Sequence, residues 1–77
     1  MNQSNDQAVW ATAWLDAVAS GQATMSQRKL TSIEQRGGGL AAVAALARQR
    51  GVHLLRLTDD KGDVLVAASL HPFEVVC

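Results

Sequence analysis

Catalysis needs side chains that titrate, attack or ligate, and this sequence offers few. His53 and His71 could act as acid–base groups, because imidazole titrates near neutrality. Cys77 could act as a nucleophile, and Asp59, Asp60 and Asp63 bring three carboxylates close together in the chain. Each has a plainer reading. His53 falls on the Leu55 and Leu57 side of an alternating stretch, as a packed or half-exposed structural residue would. His71 precedes Pro72 and helps to shape a turn. Cys77 stands at the last position with no activating base beside it in the sequence. The aspartates lack the alternating oxygen-ligand pattern of a calcium loop and read as a solvated hairpin tip. His53, His71 and Cys77 have no metal-ligand spacing. No nucleophile–base–orienter set emerges, so no catalytic, metal or cofactor site is expected and the chain is not expected to be an enzyme.

The segment Gly37-Gly38-Gly39-Leu40-Ala41-Ala42 resembles the dinucleotide-binding fingerprint of flavin and nicotinamide enzymes, with Ala42 where a third glycine often stands. That resemblance implies a strand before the glycines, a pyrophosphate at the following helix N-terminus, and Asp59 as a ribose-binding acid. Two features depart from it. Ile33-Glu34-Gln35-Arg36 is polar where a buried apolar strand should enter, and one βαβ half is too small to enclose a dinucleotide. The glycine run is therefore read as a hinge or tight helix junction.

Any functional group must be placed by a few elements. Ser4 and Gln7 have the form of a capping box, so a first helix is expected from near Asn5. Trp10, Trp14 and Val18 recur every four residues with Ala11, Leu15 and Ala17 alongside, and Gly21 ends the helix. From Ala23 to Arg36 the pattern is ambiguous. Thr24 and Gln27 suggest a second capping box, while Leu30 and Ile33 give only a narrow apolar stripe. A helix is expected there, with a short strand over Leu30 to Ile33 as the alternative. Leu40 to Arg50 reads as a helix on Leu40, Val43, Ala44 and Ala47, closed by Gly51. From Val52 the period becomes two. Two strands flank an Asp59-Asp60-Lys61-Gly62-Asp63 turn, which makes an antiparallel hairpin. After Pro72, the residues Phe73, Val75 and Cys77 form one face of a short third strand or an edge segment.

Three helices followed by a hairpin, with Arg48, Arg50 and Arg56 near the junction, resemble a winged helix, which implies nucleic-acid binding. A recognition helix should expose polar and basic side chains, whereas Leu40 to Ala47 holds only alanine, leucine and valine. Binding would have to rest on phosphate contacts, with no aromatic residue in the basic segment to stack on bases. Charge is segregated: six basic residues from Arg28 to Arg56 face only Glu34, while Lys61 faces six acids in the remainder. This is read as an ordinary solvated surface, with a dipole that steers partners as the alternative.

The 77 residues make one small α+β domain, with a thin core that buries only about 60–65% of the unfolded surface. Such domains usually need a disulfide, a metal or a partner subunit, and a single cysteine closes the first route. The apolar content of 48% excludes a disordered chain. The longest apolar run, Leu40 to Ala47, is far shorter than the roughly 20 residues that span a bilayer. The polar start, Met1 to Asp6, fits neither a signal nor a transit peptide, so a cytoplasmic location is expected. Five arginines to two lysines and abundant alanine suggest a GC-rich bacterial genome. Function is therefore expected to lie in protein–protein binding by a self-associating, non-catalytic regulatory or accessory protein. Trp10, Trp14, Arg48, Arg50 and Arg56 are the candidate partner-binding residues, a homodimer the expected state, and a small nucleic-acid-binding regulator the alternative.

Overall fold

The computed structural model describes residues 3–77, with side chains from residue 6 onward. Met1 and Asn2, part of the polar start, lie outside the described residues. In chain order the elements are α1 (Gln3–Ala19), β1 (Met25–Lys29), α2 (Leu30–Arg36), α3 (Leu40–Arg50), β2 (His53–Thr58) and β3 (Val64–Ser69). This is an α+β arrangement of three helices and a three-stranded antiparallel sheet, ordered β1-β3-β2.

α1 buries Ala11, Trp14, Leu15 and Val18, the stripe that the four-residue spacing predicts. It is already helical at Gln3, so Ser4 lies inside the helix rather than capping it near Asn5. α3 buries Val43 and Ala47 and ends in a left-handed Gly51 with φ 69°. There the Val52 N–H donates to the Ala47 carbonyl and the Gly51 N–H to the Arg48 carbonyl, the two bonds of a Schellman cap. In the β2–β3 hairpin, the Asp59 carboxylate accepts the Lys61 and Asp63 N–H groups at 2.9 Å each, and Gly62 turns the chain at φ 86°.

Two expectations need correction. Residues Ala23 to Arg36 are neither one helix nor a strand over Leu30 to Ile33. Met25–Lys29 is a strand, so Thr24 and Gln27 form no capping box, and the helix starts only at Leu30. β1 exists because β3 offers it a complete ladder, from Met25 opposite Ser69 to Lys29 opposite Leu65. Tertiary pairing overrides weak local preference here. The third strand is therefore β1, and residues 70–77 pair with nothing as a strand.

The register assigns the two faces of the sheet, because directly opposed residues share a face. Ser26, Ala68 and Leu54 lie on the helix side, as do Arg28, Val66 and Arg56. Val66, Ala68 and Leu54 join Leu15, Val18, Ile33 and Val43 in one apolar cluster beneath the helices.

Candidate interaction surface

The other face of the sheet carries Met25, Gln27 and Lys29 from β1, Leu65, Ala67 and Ser69 from β3, and His53, Leu55 and Leu57 from β2. Five of these are apolar, and none belongs to the cluster under the helices. Ala67, at the centre, is flanked in register by Gln27 and Leu55 and is buried. Leu55 is 38% exposed and Met25 49% exposed, at the two flanks of this face. The three helices pack against one another and against the opposite side of the sheet, which is the arrangement of an antiparallel sheet with one face left to solvent or to a partner.

β3 is paired on both sides, so the sheet has two edges, β1 and β2, and neither lies on β3. They differ in character. β1 is short and ends in Arg28 and Lys29, with Lys29 reaching Asp63 at 3.9 Å. β2 is a longer run, His53-Leu54-Leu55-Arg56-Leu57-Thr58, with no lysine and no proline.

Of the sequence-predicted contact residues, Trp10 and Trp14 pack together on α1, whereas Arg48 and Arg50 stand on α3 and Arg56 on β2. Trp14 is buried, and its indole N–H donates to Ser26 Oγ at 3.0 Å. The Arg28 guanidinium stacks 5.8 Å from the centre of the Trp14 ring and donates to Ser26 Oγ and to the Gln27 carbonyl. Trp14 is thus part of the core. Trp10 is half-buried, 5.9 Å from Trp14 between ring centres, and lines a shallow groove of about 260 Å³ with Val9, Ala13, Trp14, Ala17 and Arg28. Arg50 bonds Asp16 at 2.6 Å and ties α3 to α1. Arg48 is exposed and makes no ion pair among the described residues. Arg56 is exposed on the helix side of β2, opposite Val66 and in line with Arg28 beyond it.

The glycine run is a tight junction between α2 and α3. The Gly37 and Gly39 N–H groups both donate to the Ile33 carbonyl, and Gly38 and Gly39 take φ of 84° and 100°. What enters the glycines is a helix, and β2 turns back antiparallel, so the strand context of a dinucleotide site is missing. Two helices joined by a three-residue glycine turn, followed by a hairpin, do match a helix-turn-helix with a wing. The chemistry of the matching surfaces is different. α3 exposes Ala41, Ala42 and Ala45 ahead of Arg48 and Gln49, and the hairpin tip carries three aspartates against one lysine.

Sequence reasoning missed Met25 and the Ser26–Arg28 support of Trp14, since nothing in Met25-Ser26-Gln27-Arg28-Lys29 alternates in hydropathy. Leu55, Leu57, Leu65 and Ala67 could be found from the period-two pattern of the hairpin. Among the described residues, no three His, Cys, Asp or Glu side chains are grouped to hold a metal ion, and no helix is long and apolar enough to cross a membrane. Compared with protein-family models, curated proteins and solved structures, the chain has no significant match.

Proposed function

We propose that the protein is a non-catalytic, self-associating regulatory or accessory module that works by binding protein, with the helix-free face of its sheet as the contact surface. The observation that carries this reading is the line of Met25, Leu55, Leu57, Leu65 and Ala67 across three strands, outside the helix-covered core. Covering several such side chains stabilises an assembly by roughly 1.5–3 kcal/mol for each one fully buried. A domain of this size gains most from a partner that thickens its core. The reading is tested by placing a charge on that face. Leu55→Lys should abolish self-association and leave the far-ultraviolet circular dichroism unchanged. Val9→Lys, at an exposed apolar position on α1, should have no effect. If both variants associate like the wild type, the face is not the contact surface.

A second reading is favoured by the helix–glycine turn–helix and its following hairpin: a small nucleic-acid-binding regulator. It would rest on Arg48 and Arg56 contacting phosphate, because the exposed alanines of α3 can make only apolar contacts to bases. The acidic hairpin tip opposes it, since a wing approaches the phosphate backbone. Fluorescence titration with duplex and single strands separates the two readings.

A further inference from the structure

We propose that two copies of the chain join along β2, antiparallel across a two-fold axis, so that the acidic hairpin tip of each lies beside the arginine-bearing end of the other's α3. This rests on the self-association just described and places it at the β2 edge, centred on Leu55, which sets the two helix-free faces side by side as one surface for a further protein. Of the two sheet edges, β1 has four polar or charged residues among its five and ends in Arg28 and Lys29, the kind of edge that resists pairing. β2 is six residues long, carries three leucines and has one cation, Arg56, on its helix side. No hydrogen bond among the described residues uses a backbone group of Leu54 to Thr58 outside the β3 ladder. Such an edge presents open N–H and C=O groups to a like edge.

The register follows from faces and charges. Opposed residues share a face, so keeping both helix-free faces on one side pairs odd-numbered positions of β2 with odd-numbered ones. Centring the axis on Arg56 would oppose two guanidinium groups, which destabilises a strand pair. Centring it on Leu55 opposes leucine to leucine and His53 to Leu57. It also joins the two apolar faces into one six-stranded surface. Beyond the strands, this register carries the Asp59–Asp63 turn that follows Thr58 in one copy toward the α3–β2 junction that precedes His53 in the other. Arg48, three residues before Gly51, is exposed and unpaired among the described residues, and Asp60 is exposed at the tip. The basic and acidic segments of the sequence are thus complementary across the axis, twice.

Sedimentation equilibrium on Arg48→Glu, Asp60→Arg and the double variant tests this. Both positions are exposed and neither side chain supports the fold, whereas Asp59 caps the turn and is left intact. Each single reversal should raise the dimer Kd about tenfold, because the symmetric interface holds the contact twice. The double variant should return to within about threefold of the wild type. Single variants with unchanged Kd, or a double variant no better than the singles, would overturn the edge pairing while leaving self-association standing. A wild type that stays monomeric would remove self-association, and this pairing with it.

Discussion

The ring of Trp10 lies directly against the backbone of Gly37: a Cβ at that position would stand 2.9 Å from Trp10 Cζ3 and 3.0 Å from the Ile33 carbonyl. The φ of Gly37 is −102°, which any residue can adopt, so glycine is required here for space and not for backbone conformation. The first of the three glycines thus lets α1 and the end of α2 meet, while Gly38 and Gly39 supply the positive φ that turns the chain into α3.

Gly37→Ala should therefore destabilise the fold by about 1–3 kcal/mol, since the indole and the carbonyl must both give way. In a domain this small each kcal/mol lowers Tm by roughly 4–8 °C. Thermal unfolding followed by tryptophan fluorescence measures it. Combining the change with Trp10→Ala should cost less than the sum of the two single changes, and strict additivity would show that the two residues do not compete for space.

Ser26 Oγ accepts hydrogen bonds from both the Trp14 indole and the Arg28 guanidinium, at 3.0 Å each. Ser26→Ala leaves the part-buried indole N–H without its acceptor and should cost about 1–3 kcal/mol, read by urea denaturation. Ser26→Thr, which keeps the hydroxyl on a residue suited to strands, should cost less. Equal losses in the two variants would mean that packing, not the hydrogen bond, sets the value of this position.

Nucleic-acid binding should be weak at physiological salt. Arg50 is engaged by Asp16, Arg28 is stacked on Trp14, and Asp59, Asp60 and Asp63 occupy the hairpin tip. That leaves Arg48, Arg56 and a few more cations for phosphate, and each such contact weakens steeply with added salt. Titration of labelled duplex and single strands should give no sub-micromolar binding at about 150 mM salt. Sub-micromolar binding that Arg48→Ala and Arg56→Ala abolish would favour the nucleic-acid reading instead.

Much of this architecture is legible from local pattern. α3 follows from Leu40, Val43, Ala44 and Ala47 ahead of Gly51, and the hairpin follows from period-two alternation on either side of a turn sequence. β1 is not legible, because four of its five residues are polar or charged and its strand conformation is imposed by β3. α2 was hidden for a related reason. Only Ile33 is fully buried in its seven residues, so its periodicity is too short to separate from a strand. Phe73, Val75 and Cys77 alternate as a strand would, but residues 70–77 pair with neither edge of the sheet. The candidate surface was half legible. Its leucines follow from the hairpin pattern, whereas the hold of Ser26 and Arg28 on the buried Trp14 depends on β1, which no local pattern announces.

Self-association through the sheet is the proposal on which the others depend. Size-exclusion chromatography with light scattering, run on the wild-type chain from about 1 to 100 µM, tests it most directly, because linkage makes both mass and Tm depend on concentration for an associating fold. The mass should rise to twice that of the 8.2 kDa chain, with a Tm that climbs alongside it. A mass that stays at one chain up to about 100 µM, with a Tm that does not move, would contradict it.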